Sequence, residues 1–161
     1  MENSIHQLKN IFNLNSRLFV NTLEGISDQH AEERIAPHIN PIIWIAAHTL
    51  WARINTSMFL GSQVENPYND LFANFAPYDK SKKYPSLSSI KSEWRQATES
   101  LNKGLENATS DQLSAEAPLK NPTGDFSNAG TVAFLAQHES YDIGQLGLLK
   151  KYFTKEAMSY N

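Results

Sequence analysis

With 161 residues the chain fits one domain, which can bury roughly 70% of its unfolded surface without metals or disulfides. It contains no cysteine, so disulfides, thiolate metal ligands and a cysteine nucleophile are excluded, and any thiol chemistry must come from a bound cofactor. The formal charge is -3 and the basic residues are scattered apart from Lys80, Lys82 and Lys83, which argues against nucleic acid as the main partner.

Hydrophobic residues make up 40% and charged residues 19%, values of a globular chain rather than a disordered one. No apolar run approaches the roughly 18 residues of a membrane span. The start, from Met1 to Asn10, has neither a basic n-region nor an apolar h-region, so the expectation is a cytoplasmic protein. No internal repeat or linker divides the chain, and residues 1–161 are expected to form one domain.

A first helix is predicted over 4–24, because Ile5, Leu8, Ile11, Phe12, Leu18, Phe19 and Leu23 recur at helical spacing. The polar segment that follows ends in Asn40-Pro41, a helix-start signal with Asn40 as cap and Pro41 at the first helical position. The second helix, over 40–60 and closed by Gly61, is apolar nearly all round and should be buried on more than one side. A long irregular stretch over 62–85 carries Tyr68, Phe72, Phe75, Tyr78 and Tyr84, aromatics that favour draping over a core. The third helix, over 87–109, is capped by Ser86 or Ser88, with one narrow stripe from Leu87 through Trp94 to Ala108. A second polar connection holds Thr123-Gly124-Asp125, a turn signal with room for a short hairpin, and the fourth helix is predicted over 128–153. The fold class is therefore all-α, an antiparallel four-helix bundle whose long middle connection permits a crossover.

The chemistry concentrates in the second and fourth helices. His48 shares its helix face with Trp44, Ile45, Trp51 and Ala52, which desolvates it, and a backbone carbonyl would satisfy it as well as a metal would. His138 and Asp142 stand one turn apart on a face otherwise built of Leu135, Leu146 and Leu149. Together with His48 they form either a core metal site or a buried His–Asp hydrogen bond. Two imidazoles and one carboxylate leave coordination positions open, as catalytic zinc and non-haem iron sites do. His6, His30 and His38 are expected in solvent. The string His138-Glu139-Ser140-Tyr141-Asp142 approaches the zinc-protease motif but lacks its second histidine, and Glu139, about 100° round from His138, is expected as a surface carboxylate. On the opposite face Ala133, Ala136, Ser140, Gly144 and Gly147 form a small-residue stripe that calls for a close neighbour, inside the bundle or across a dimer interface.

Residues Asn40 to His48, together with His138 to Tyr152, resemble the DinB-like superfamily, named for DNA-damage-inducible proteins. The resemblance follows the whole chain in helix order. It implies a four-helix bundle, often a homodimer, that holds a divalent metal on three histidines, one from the second helix and two at i, i+4 on the fourth. His48 and His138 match the first two, and Asp142 stands in place of the third. Aspartate can bind zinc, nickel, iron or manganese. Characterised relatives include thiol-dependent transferases using bacillithiol, mycothiol or glutathione and a maleylpyruvate isomerase, and others are described as metal-dependent hydrolases. The implied function is a metal-dependent transferase or hydrolase acting on a small molecule, with a low-molecular-weight thiol as a further cofactor. The alternative is a non-catalytic bundle that binds a small molecule or a partner.

Overall fold

Helical spacing of apolar residues decides the architecture. A computed structural model describes the backbone of residues 2–118 and 120–161 and the side chains of residues 5–118 and 120–161. Among these residues the regular structure is helical, with one isolated antiparallel bridge and no strand. In chain order the helices are α1 (Glu2–Leu23), α2 (Asp28–Glu32), α3 (Ile42–Phe59), α4 (Asn69–Phe72), α5 (Leu87–Asn107), α6 (Ser110–Ser114) and α7 (Asn128–Thr154). A 3-10 turn, Ala73–Phe75, follows α4.

The four long helices correspond to the four predicted, and their ends follow local chemistry. Ser86 caps α5 by accepting a hydrogen bond from Ser89 N, and Ser127 caps α7 by accepting one from Gly130 N. At the end of α3, Gly61 takes φ +98°, and its N–H and that of Ser62 bond back to the Met58 and Ser57 carbonyls, each at 2.9 Å. The start of α3 differs from expectation. Pro41, not Asn40, occupies the cap position in extended conformation, and its carbonyl accepts from Trp44 N and Ile45 N. A proline with no N–H to satisfy serves there without a side-chain cap. Three short helices, α2, α4 and α6, fall outside the expectation, since four or five residues are too few to show a period.

The α5 stripe is buried from Leu87 to Leu105, with Trp94 stacked on Phe19 of α1 at 3.8 Å between ring centroids. As predicted, α3 is buried on several sides, packing on both α5 and α7. On α1, Phe12, Leu18, Phe19 and Leu23 are core, whereas Ile11 is 42% exposed and leaves the predicted stripe.

Helix directions depart from an alternating antiparallel bundle. Asn15 reaches Ser140 and Lys150 reaches the Glu24 carbonyl, so α1 and α7 run parallel. Arg53 reaches Thr98, and Leu60 abuts Gly104, so α3 and α5 also run parallel. Across the two pairs the sense is opposite, since His48 meets Asp142 while Arg53 meets Glu139, and Lys9 meets Glu106 while Ser16 meets Trp94. A parallel neighbour requires the chain to return the full length of a helix before α5 begins, roughly 30 Å at 1.5 Å per residue. The long middle connection is that return. It drapes as expected through Phe72, 3% exposed, and through Trp51 Nε1, which donates to Asn69 at 2.9 Å. Tyr68 donates to Glu93 on α5 at 2.5 Å, and burial, reinforced by that carboxylate, holds its phenol well above the ordinary range. Phe75 alone among these aromatics stands wholly in solvent.

The second polar connection closes as a wide loop through the bridge between Glu116 and Ser127, with Ala117 N bonded to Phe126 O at 2.8 Å. Asn121 organises its tip, donating to the Asp125 carbonyl and accepting from Thr123. The Asp125 carbonyl lies so close to α7 that a Cβ on Gly130 would sit 2.3 Å from its oxygen. Gly130→Ala should therefore displace the loop and cost about 1–3 kcal/mol despite alanine's better helix propensity. Urea denaturation checks this, and a variant as stable as wild type would contradict the close approach.

Candidate metal centre

Helix α3 presents Trp44, His48 and Trp51 along one side, with the His48 ring stacked nearly flat on Trp44 at 4.9 Å and tilted 31° to Trp51. The opposed helix α7 supplies His138 and Asp142 at i and i+4. The three predicted residues meet. Their ligand-type atoms all lie within 4.8 Å of one another, so the cluster can hold a divalent metal. His48 Nδ1 is 3.0 Å and His138 Nδ1 4.0 Å from Asp142 Oδ2. Ligands at roughly 2.0–2.2 Å from a tetrahedral ion stand about 3.4 Å apart, so these two separations bracket what an ion would impose.

The surroundings distinguish the three. Asp142 is 4% exposed and has further neighbours in Thr49 Oγ1 at 3.3 Å and Gln145 Nε2, which donates to Oδ1 at 3.2 Å. His138 Nδ1 is buried and has no hydrogen-bond partner. A buried ring nitrogen left without a partner is costly, and a metal or a proton shared with Asp142 would satisfy it. Nitrogen and carboxylate oxygen form the borderline donor set that zinc, nickel, iron and manganese accept. The donor set thus fits a divalent ion. Beside the imidazoles opens a cavity of about 650 Å³ that both line, walled by Trp44, Trp51, Phe72 and Phe134.

Glu139 overturns its predicted place at the surface. It is 2% exposed and grips Arg53 with both oxygens, Nε to Oε2 at 2.8 Å and Nη2 to Oε1 at 2.5 Å. The remaining guanidinium protons go to Ser16 Oγ, Thr98 Oγ1 and the Phe12 carbonyl. All five donors are used, and the Trp94 ring lies 3.6 Å beneath the guanidinium. The 100° offset was right, but it turns Glu139 toward the bundle axis because α7 is enclosed by α1 as well as α3. The signal was Arg53 itself, a cation within a helix apolar nearly all round, which requires a buried counter-charge. His30 also departs from expectation, being half-buried and stacked on Phe153 at 4.9 Å, while His6 and His38 are exposed.

The small-residue stripe divides. Asn15 of α1 donates to the Ala136 carbonyl and to Ser140, and Gly147 faces Thr22 and Met158, so these positions serve internal packing. Gly144 has nothing within 4 Å.

Residues 12–146 match the family model of the DinB superfamily. The chain belongs to the DinB superfamily. Among solved structures, a conserved protein from Enterococcus faecalis superposes with a TM-score of 0.71 over 94% of this chain and 97% of its own, at 14% identity. At that identity the likeness concerns the fold alone. No curated protein matches the sequence. Among the described residues, no helix is long and apolar enough to cross a membrane.

Proposed function

We propose that this DinB protein is a cytoplasmic metal-dependent enzyme, a transferase or hydrolase acting on a small molecule, with His48, His138 and Asp142 holding one divalent ion. The observation that carries this reading is the buried, unpartnered His138 Nδ1 beside Asp142 Oδ2, at the floor of a cavity of ligand size. Such an ion supplies Lewis acidity and lowers the pKa of a bound water or thiol. The chain's own part is to fix and desolvate the imidazoles. Trp44 and Phe72 hold the His48 ring between stacked and edge contacts. Calorimetric titration of metal-stripped protein with zinc, nickel and manganese tests the reading. One ion per chain for at least one metal is expected, and no heat with any of them would sink it.

A second reading has its own support. Asp142 already has His48, Thr49 and Gln145 as neighbours, so a protein-only network leaves the His138 nitrogen and the Trp44 indole N–H unpaired at the site. In that reading the protein is a non-catalytic bundle that binds a small molecule or partner.

We also propose a homodimer. Tyr141, Leu148 and Tyr152 are more than half exposed on α7 and flank the unfilled space at Gly144, an apolar strip suited to a second copy of the helix. Leu148→Asp should convert a dimer to a monomer without loss of helicity, as read by light scattering at micromolar concentrations. A wild-type protein that is already monomeric there contradicts the proposal.

A further inference from the structure

The wall of the cavity beside the imidazoles has an unusual charge composition. Trp44, Trp51, Phe72 and Phe134 supply aromatic surface, and its polar members are the two histidines, three asparagines, Asn40, Asn55 and Asn74, and Trp44, whose indole N–H has no partner. No lysine, arginine, aspartate or glutamate lines it among the described residues. Asp142 is buried and does not line it, and every donor of the nearby Arg53 is engaged elsewhere. An anionic group entering this space gives up its hydration and meets no cation in the wall to replace it. A flat uncharged ring system loses little hydration and gains aromatic contacts on several sides.

The rim adds an independent observation. Phe75 is fully exposed and stands at φ 58°, next to Asn74 at φ 57°. A bulky residue in the left-handed region is strained, and here no packing of its own ring compensates. The segment that holds it borders the cavity, so an occupant would give that ring the apolar partner it lacks.

We infer that the cavity, with no ion bound, takes an uncharged, flat, aromatic or strongly apolar small molecule, with Phe75 closing over it, and discriminates against anionic ligands. This rests on the proposed function only in making the occupant a substrate. The occupancy itself needs no metal.

The test uses two fluorescent probes with one ring system, phenylnaphthylamine, which is neutral, and its sulfonated counterpart anilinonaphthalene sulfonate. Each is titrated into metal-stripped and zinc-treated full-length protein, with metal uptake measured on the same samples by calorimetry. The neutral probe should bind one per chain and at least about tenfold more tightly than the sulfonate, a margin of about 1.4 kcal/mol, in metal-stripped protein. Phe134→Lys should weaken the neutral probe and strengthen the sulfonate. Phe75→Gly should weaken the neutral probe several-fold while raising the melting temperature, opposite signs that a merely destabilised protein would not give. Equal or tighter binding of the sulfonate, binding of neither probe, or neutral-probe binding indifferent to Phe134→Lys would each overturn the inference. Failure of metal uptake with the probe preference intact would remove the metalloenzyme reading and leave the cavity's ligand class standing.

Discussion

Glu139→Ala is expected to cost about 3–5 kcal/mol of stability, because it strands the Arg53 guanidinium, 0% exposed, with no counter-ion. Water cannot readily take the place of the carboxylate where Phe12, Trp94 and the α7 backbone close around the pair. For a chain of this size each kcal/mol moves the melting temperature by about 2–4 °C, so a fall of roughly 6–20 °C should be seen. Glu139→Gln keeps the shape and one acceptor and should lose less. The double variant Arg53→Met, Glu139→Leu removes both charges together and should be more stable than either single loss predicts, since the largest part of the cost is the unpaired charge. Urea denaturation of wild type, Arg53→Met, Glu139→Leu and the double variant gives the coupling directly. Additive losses would mean that the two groups do not act as a pair.

That ion pair also marks what the sequence left illegible. The four long helices were legible because each carries enough apolar repeats to define a face, and the α5 stripe is buried at every predicted position except Ala108, which lies past the helix end. The three candidate ligands were legible for the opposite reason, as polar residues on faces otherwise apolar. What helical periodicity omits is the identity of the neighbouring helix. Glu139 and Ile11 were both misplaced through that gap. A helix that packs on one side exposes a residue 100° from its core face, whereas α7, held by α1 and α3, buries it. Ile11 falls the other way, on a part of α1 that no helix covers. The parallel pairing of α3 with α5 is the crossover that the length of the middle connection permits, since short links join antiparallel neighbours.

The second large effect is expected at the candidate ligands themselves. His48→Ala or His138→Ala should lower metal affinity by about 100-fold or more, beyond the roughly 10–100-fold that loss of an outer-shell partner costs. Both substitutions remove a nitrogen donor and leave Asp142 facing solvent or a void, so neither can be rescued by the remaining pair. Asp142 is the informative position. Asp142→Asn preserves shape and removes the anionic ligand, so binding should weaken while the fold persists. Asp142→His supplies the third imidazole of the DinB pattern and should tighten zinc and nickel binding relative to wild type, because borderline ions favour nitrogen. Protons compete with the ion for the imidazoles, so affinity should fall with falling pH, and more steeply in the three-histidine variant. Calorimetry across pH with zinc, nickel and manganese measures all of these together. If wild type binds none of them and Asp142→His binds one ion, then the aspartate at this position is what denies the site its ion, and the hydrogen bond between His48 and Asp142 at 3.0 Å stands in the ion's place.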